Sequence, residues 1–285
     1  MMRVLELFGG IGAWHKALKR IGIPCELVGF SEVNPYAVEA YCAIHNEPES
    51  KNLGDIRSLE ADRISPVDLI CASPPCQSFS VAGKQKGVED ERGKLFFETL
   101  RIIGYAMPKY CLIENVKGLT FKKFEPILSR ILTDLDGLGY NVYHKVLDAK
   151  DYGVPQSRKR LFFVCVRKDA DDVSFQFPSP VPLETTLRDL LENDVDEKYY
   201  ISGKHLVYWN KNRERDVGKG FSAIDKDIAV CQTARQYANW KGNYVSDTLN
   251  CLGLINNRDS QGSRVYDDNI SCTVSATGGG LGNVE

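Results

Sequence analysis

The sequence predicts an α/β fold with a mostly parallel central sheet. Within the first 170 residues, apolar runs with strand character alternate with segments whose apolar residues recur every three or four positions. Strands that alternate with helices are typical of a parallel sheet covered on both faces. Beyond that point the periodicity weakens, and Asn, Asp, Gly and isolated aromatic residues become frequent. We therefore expect a small irregular domain to follow the sheet.

Apolar runs between turn residues are the predicted strands, and they come in the order Val4–Phe8, Leu27–Phe30, Val67–Ala72, Tyr110–Ile113, Val142–Val146 and Leu161–Val166. One predicted helix runs from Phe124 to Leu138 and is closed by Gly139. Another predicted helix has an apolar stripe of Phe96, Leu100, Ile103 and Met107, and it stops at Pro108. The resulting domain prediction is a main domain over 1–170 and an irregular region over 171–268, followed by a C-terminal segment over 269–285.

Composition narrows the function classes. The 285 residues carry a formal net charge of −2, so affinity for a polyanion would depend on local basic clusters. No apolar run approaches the roughly 20 residues needed to span a bilayer. The N-terminus lacks the layout of a secretory signal. We therefore expect a cytoplasmic protein that does not bind a membrane.

Cysteine and histidine usage argues against a structural metal. The nine cysteines include no Cys-x-x-Cys pair, and the four histidines are scattered. Four of them, Cys25, Cys71, Cys111 and Cys165, lie in apolar runs, as buried free thiols do. The sequence predicts no metal site and no disulfide framework.

A glycine motif follows the first strand, where Phe8-Gly9-Gly10-Ile11-Gly12 leads into a helix. Glycines let a ligand approach the backbone closely, and the helix N-terminus offers free N–H groups. The second strand ends at Glu32, where nucleoside-binding sheets place a ribose-binding acid. His15 occupies the place of the third dinucleotide glycine, which favours an adenosine ligand without a pyrophosphate. The alternative is an ordinary tight turn with a surface acid.

Gly54-Asp55-Ile56 is a second candidate contact to such a ligand. The Asp55 carboxylate could accept a hydrogen bond from an adenine amino group. Taken by itself, a Gly-Asp pair is more often a helix N-cap.

A proline-flanked cysteine follows the third strand in Ser73-Pro74-Pro75-Cys76-Gln77. Open α/β sheets bind ligands at this carboxyl edge, and the prolines hold the thiol in one place. A thiolate is a strong nucleophile where its surroundings lower its pKa. The alternative is a structural cysteine in a proline turn.

Two further strands carry polar groups. Glu114 and Asn115 end the fourth strand, and a buried carboxyl group there could act as a proton donor near neutral pH. Gln156, Arg158 and Arg160 alternate at strand period, so the pattern predicts that they share one face. Arginine forks suit phosphates and base edges. The alternatives are a solvated acid at a strand end and arginines that protect a sheet edge.

These motifs, in this order, resemble the cytosine-5 DNA methyltransferase family from Leu5 to about Val166. The resemblance implies a Rossmann-like sheet that binds S-adenosylmethionine and a target-recognition domain within 171–268. The implied cofactor contacts are Phe8, Gly10, Ile11, Gly12, Glu32, Val33, Asp55, Ile56, Pro75 and Leu95.

The resemblance also implies a reaction on a cytosine flipped out of duplex DNA. Cys76 would attack carbon 6 of the base, and Glu114 would protonate or hydrogen-bond ring nitrogen 3. Arg158 and Arg160 would orient the base and the thiol, while Asn115 and Gln156 would brace the pocket.

The segment 78–92 resembles the mobile catalytic loop of the family, and its implied DNA contacts are Ser80, Lys84, Lys86 and Arg92. The alternative for this segment is a disordered surface loop.

The C-terminus departs from the family pattern. Family members continue with a supporting helix and a terminal segment that returns to the cofactor site, whereas this chain stops after the glycine run at 278–280. Either the chain is truncated or a second polypeptide supplies the remainder, and both explanations predict weak activity of the single chain. The competing functions are cytosine-5 methylation of tRNA and a regulatory homologue that binds DNA without chemistry.

Overall fold

The computed structural model describes residues 1–60, 64, 66–75, 91–170, 174–192, 223–224, 226–231, 243–245, 251–254, 264–266 and 274–275. The chain forms two compact units. The first comprises Met1–Leu147 and Lys159–Pro178, and the second comprises Asp148–Arg158 and Ser179–Glu285. The predicted boundaries of the functional regions, at 170 and 268, stay predictions because a compact unit reports packing and not function.

The first unit contains a six-stranded sheet with the order β2-β1-β3-β4-β7-β5. Its strands are β1 (Met2–Leu7), β2 (Cys25–Ser31), β3 (Leu69–Ala72), β4 (Tyr110–Val116), β5 (Tyr140–Asp148) and β7 (Lys159–Arg167). β1 pairs in parallel with β2 and β3, and β3 pairs in parallel with β4. β7 is antiparallel to β4. The predicted fold class, an α/β protein with a mostly parallel sheet, is confirmed.

Four α-helices belong to the described part of this unit. They are α1 (Ala13–Arg20), α2 (Pro35–His45), α3 (Glu91–Ala106) and α4 (Glu125–Gly137). On one face of the sheet, Trp14 and Leu18 of α1 pack with Val4, Leu69 and Cys71. On the other face, apolar residues of α3 and α4 pack in the main core cluster with alternate residues of the same strands. Both faces of the sheet are therefore covered, as the alternating pattern predicts.

Helix α3 is shorter at its C-terminus than its apolar stripe indicates. Phe96, Leu100 and Ile103 are buried, whereas Met107 lies beyond the helix with a φ of 43° and is partly exposed. The residue before a proline is disfavoured in the helical region, so Pro108 ends the helix one residue earlier than the stripe suggests.

The second unit has short strands in its described segments. They are β6 (Gln156–Ser157), β8 (Ala223–Ile224), β9 (Ala229–Val230), β10 (Asn243–Val245), β11 (Cys251–Leu254), β12 (Arg264–Tyr266) and β13 (Val274–Ser275). β6 pairs in parallel with β9, β10 lies between β13 and β8, and β11 pairs with β12. In the part of the chain that the structure describes, no helix is long and apolar enough to cross a bilayer.

Candidate active site

A cleft of about 440 Å³ lies in the first unit, at the carboxyl ends of β1, β2 and β3. Its volume falls within the range of pockets that bind small ligands and cofactors. Its lining residues are Phe8, Ser31, Glu32, Val33, Asp55, Ile56, Arg57, Ser73, Pro75 and Leu95. Most of the predicted cofactor contacts thus border one cavity, while Gly10, Ile11 and Gly12 do not line it.

Glu32 is held in one orientation by backbone donors. Its Oε2 accepts a hydrogen bond from the Gly10 N–H at 2.9 Å, and its Oε1 accepts from the N–H groups of Val33 and Asn34 at 2.8 Å. The carboxylate keeps further acceptor capacity toward the cleft. A rigid acceptor of this kind suits a ligand hydroxyl group, because little rotational freedom remains to be lost on binding.

Asn52 connects Glu32 to the next loop of the cleft. Its Oδ1 accepts hydrogen bonds from the N–H groups of Glu32 and Gly54, and its Nδ2 donates to the Glu32 carbonyl. Asn52 thereby fixes the distance between the two acidic segments of the cleft. The sequence analysis did not identify this residue, and an isolated Asn in a loop carries no pattern that would reveal it.

Asp55 caps a short 3₁₀ turn (Ile56–Ser58), as its alternative interpretation predicts. Its Oδ1 accepts from the Arg57 N–H at 2.9 Å, and the Arg57 guanidinium contacts both carboxylate oxygens. These hydrogen bonds from Arg57 hold the pKa of Asp55 below its usual range. The group is therefore an ionised acceptor at the rim of the cleft, so capping and ligand binding are compatible.

Gly10 and Gly12 of the glycine loop have different surroundings. Gly10 has a φ of 54° and open space where a Cβ would stand, as a close approach by a ligand requires. Gly12 has a φ of 80°, and an added Cβ would meet the His45 ring. The glycine at position 12 is thus required by packing against α2, whereas the sequence interpretation assigned it to the cofactor. Ile11 is 58% exposed.

The turn before the predicted nucleophile is tied to three elements. The Ser73 N–H donates to the Leu7 carbonyl at 3.2 Å, and Asn115 Nδ2 donates to the Pro74 carbonyl at 3.3 Å. The Trp14 indole N–H donates to Ser73 Oγ at 3.0 Å. Pro75 lines the cleft, so the residue that directly precedes Cys76 borders the cavity.

Several predicted residues lie outside the described part of the chain. Cys76, Ser80, Lys84 and Lys86 are among them. Arg92 belongs to helix α3, but its side chain is also outside the described part. Their predicted roles stay predictions.

Glu114 forms an ion pair with Arg160. The Arg160 Nε lies 2.7 Å from Glu114 Oε1, and both side chains are about one fifth exposed. Glu114 stands opposite Phe162 in the β4–β7 pair, so the side chain of Arg160, two residues from Phe162, lies on the same face of the sheet. The structure therefore brings two of the predicted catalytic residues into contact, and both side chains stay partly accessible to solvent.

Gln156 and Arg158 belong to the second unit. The alternation at strand period is interrupted at Arg158, which falls between β6 and β7. The Arg158 N–H donates to Asp148 Oδ1 at 2.8 Å, and its guanidinium contacts Cys231 Sγ at 3.6 Å. The prediction that Gln156, Arg158 and Arg160 share one face stays a prediction, because Arg160 belongs to the first unit and the other two residues to the second.

A buried cluster of polar side chains, formed by Glu6, Tyr41 and His15, lies next to the glycine loop. Glu6 Oε2 accepts from the Tyr41 hydroxyl at 2.8 Å, and the Tyr41 oxygen lies 3.1 Å from His15 Nδ1. Burial raises the pKa of Glu6 to about 7, although the Tyr41 hydroxyl and the backbone N–H groups of Trp14 and His15 act in the opposite direction. Burial also lowers the pKa of His15 to about 4. An acid inside the apolar strand Val4–Leu7 is the sequence signal that could have revealed this cluster.

The described residues contain no group of three or more His, Cys, Asp or Glu side chains placed to hold a metal ion. The fold and the cleft define a class of protein, an α/β sheet that binds a nucleoside-like ligand at its carboxyl edge. Apolar walls and two fixed carboxylates make the cleft suited to adenosine rather than to a phosphate-rich ligand.

Comparison with known proteins identifies the family. The family model described as C-5 cytosine-specific DNA methylase matches residues 2–270, and the chain belongs to this family. The family consists of S-adenosylmethionine-dependent methyltransferases. Both the predicted family and the predicted cofactor class are confirmed at this level.

Similar sequences come from phages and bacteria. The orphan methyltransferase M.Rho11sI of Bacillus phage rho11s is 34% identical over 99% of this chain and 59% of its own length. The type II methyltransferase M.HhaI of Haemophilus parahaemolyticus is 36% identical over 98% of this chain and 76% of its own length. The chain spans little more than half of two phage relatives, 59% of M.Rho11sI and 52% of M.SPRI of Bacillus phage SPR.

Solved structures share the fold. The S. pombe Dnmt2 methyltransferase has a TM-score of 0.66 and 27% identity, and the match covers 86% of this chain and 77% of that chain. The Entamoeba histolytica methyltransferase EhMeth has a TM-score of 0.70 at 22% identity, over 86% of this chain and 76% of that chain, which speaks for the fold alone.

Proposed function

We propose that this chain is the cofactor-binding and catalytic part of an enzyme that methylates carbon 5 of cytosine in duplex DNA. One observation carries the proposal. Within a single compact unit, the cleft that contains Glu32 and Asp55 is also bordered by Pro75, the residue before Cys76. In the same unit, Glu114 and Arg160 form an ion pair on the adjacent part of the sheet.

The cleft residues fit S-adenosylmethionine. Phe8, Ile56, Pro75 and Leu95 provide apolar surface for an adenine ring, while Glu32 presents a fixed acceptor for ribose hydroxyl groups. The ionised Asp55 is placed to accept from an amino group. When it is bound there, the sulfonium cofactor supplies an electrophilic methyl group.

The proposed chemistry proceeds through a covalent adduct. The Cys76 thiolate forms a bond to carbon 6 while Glu114 donates a proton or hydrogen bond to nitrogen 3, which makes carbon 5 nucleophilic. After carbon 5 is methylated, a base such as water removes its proton, and the bond between Sγ and carbon 6 breaks. Arg160 holds the Glu114 carboxyl group in position through their 2.7 Å contact. Arg158, Gln156 and Asn115 keep their predicted supporting roles in this proposal.

The base must leave the duplex before it can react. In the proposal, the loop that contains Ser80, Lys84 and Lys86 contacts the DNA backbone and closes over the flipped base, and Arg92 at the start of helix α3 contributes a further DNA contact. The described segments of the second unit include short strands, and we propose that the target-recognition region comprises residues 171–268.

Trapping on DNA that contains 5-fluorocytosine tests the proposal. Fluorine at carbon 5 cannot leave as a proton does, so a working nucleophile stays bound and the adduct survives a denaturing gel. We expect the wild type to form the adduct when S-adenosylmethionine is present and Cys76→Ser to form none. Glu114→Gln should slow adduct formation by roughly 100-fold or more, as the loss of a general acid does.

Cys42→Ser is the matched control, because Cys42 is another free thiol, located on helix α2 away from the turn at 73–75. This control should form the adduct at the wild-type rate. A wild type that yields no adduct, alone or with a complementing C-terminal polypeptide, would overturn the proposed function. Adduct formation only with the added polypeptide would show that the reaction needs residues outside this sequence.

Methylation of tRNA is the second candidate, because the same thiol and carboxyl group could act on a cytosine in RNA. Tritium transfer from labelled S-adenosylmethionine to duplex DNA and to tRNA, measured side by side, separates the two substrates. We expect label in DNA. If the chain is instead a non-catalytic regulatory homologue, the wild type and Cys76→Ala should bind DNA equally well, and neither substrate should be labelled.

A further inference from the structure

Three polar or aromatic side chains lie side by side on the α1 face of the sheet. Tyr110 and Leu112 of β4 pack in the cluster of helix α1, so Glu114 continues the alternation on that face. Glu114 stands opposite Phe162 of β7. Ala72 pairs with Ile113, which places Ser73, directly after β3, beside Glu114 on the other side.

Trp14 touches both neighbours of the strand that carries Glu114. Its indole N–H donates to Ser73 Oγ at 3.0 Å. Its ring meets the Phe162 ring edge-on, with centroids 6.1 Å apart and an interplanar angle of 90°. β4 lies between β3 and β7 in the sheet, so the Trp14 side chain spans the position of Glu114.

Besides the contact with Trp14, other hydrogen bonds restrain the backbone of Ser73 and Pro74. Ser73 and Pro74 are held by Leu7 and Asn115 through one hydrogen bond each. Two prolines separate Ser73 from Cys76, and their fixed φ angles leave the chain little freedom to absorb a displacement. A shift of Ser73 is therefore passed along the turn at 73–75.

We propose that Trp14 is a positioning residue, which sets the turn before Cys76 at a fixed place relative to Glu114. This inference rests on the proposed function. The indole N–H holds the turn at Ser73, and the ring packs edge-on against Phe162 of β7, the strand paired with β4. One rigid side chain thus links the turn before Cys76 to the strand pair that carries Glu114. Errors of about 1 Å between reacting groups lower reaction rates strongly, so such a link affects turnover.

A double-mutant cycle tests the proposal in the full chain. Trp14→Phe keeps an aromatic ring for Phe162 but removes the N–H, and Ser73→Ala removes the acceptor. Each variant should lower kcat roughly threefold to tenfold, in line with the loss of one hydrogen bond. The double variant should lose no more than either single variant, because both remove the same bond. The KM for S-adenosylmethionine should stay within about twofold in Trp14→Phe, since Trp14 does not line the cleft.

Tyr140→Phe is the matched control. It also removes one aromatic hydrogen-bond donor, here from the 2.7 Å bond between the Tyr140 hydroxyl and the Pro108 carbonyl, which lies at the amino end of β4 and away from the cleft. It should reduce thermal stability and leave kcat unchanged. Additive losses in the cycle, or an equal loss of kcat in Tyr140→Phe, would overturn the role of Trp14 while the proposed function stands. A wild type without methyl transfer or adduct formation would overturn both.

Discussion

Single residues in the glycine loop have different physical reasons for being glycine. Gly10 and Gly12 both have positive φ, which favours glycine over any residue with a side chain. Only Gly12 is also enclosed, by the rings of His45 and Tyr41. The sequence motif is the same for both positions, but one faces open space and the other faces a helix.

Substitution by alanine should separate the two reasons. Gly10→Ala meets only the backbone strain, about 1 kcal/mol of lost stability. Gly12→Ala adds a clash with the His45 ring, so it should destabilise the chain by about 2 to 4 kcal/mol in total. Urea unfolding of both variants measures the difference. Equal destabilisation would show that the His45 ring moves aside without strain.

At the scale of elements, the Glu6 cluster joins β1, α1 and α2. Tyr41 of α2 donates to Glu6 of β1, and His15 of α1 contacts the same hydroxyl group. Glu6 Oε1 is buried without a hydrogen-bond partner among the described residues, which adds to the penalty of a charge there. The Tyr41 ring also packs against Gly9 and Gly12, so this cluster borders the glycine loop.

Glu6 should make stability depend on pH. Its pKa is about 7 in the folded chain against an ordinary value of 4.5, so the folded state binds the proton more tightly than the unfolded state. The stability from this preference is complete below about pH 4.5 and is lost as the pH rises through 7, a total of about 3 kcal/mol.

Glu6→Gln mimics the protonated acid and removes this dependence. Between pH 4.5 and 8.5, the free energy of unfolding of Glu6→Gln should therefore rise by about 3 kcal/mol relative to that of the wild type. Glu26→Gln, an exposed acid on β2, serves as the control and should follow the wild type. Parallel pH curves for wild type and Glu6→Gln would contradict the raised pKa.

At the scale of the whole molecule, the proposed assignment of the cofactor depends on the chemistry of the cleft. Its acceptors are carboxylates, which repel phosphates and attract hydroxyl and amino groups. Where a dinucleotide-binding sheet has its third glycine, His15 is buried and stacked on His45 with centroids 4.5 Å apart. Both features oppose a pyrophosphate at the start of helix α1.

Ligand-linked stability should report this selectivity. S-adenosylhomocysteine at 100 times its Kd should stabilise the folded chain by about 2.7 kcal/mol, seen as a higher Tm. NAD at the same concentration should leave the Tm unchanged, and Glu32→Gln should reduce the shift with S-adenosylhomocysteine. A stabilisation by NAD equal to that by S-adenosylhomocysteine would contradict the assignment of the cleft.

The sequence by itself determined the α/β class, the strand order along the chain and the chemical types at the carboxyl edge, since periodicity and glycine, proline and carboxylate positions are local signals. These signals located Glu32 and Asp55, and the family resemblance added Phe8, Pro75 and Leu95; all five border one cleft. Only the tertiary structure decided which side chains meet across the sheet. The pairing of Glu114 with Arg160, the contact of Trp14 with Ser73 and the burial of Glu6 join residues far apart in the chain, and their distances depend on register and helix packing. The break at Arg158 has the same origin, because a hydrogen bond to Asp148 there replaces the regular alternation of a strand.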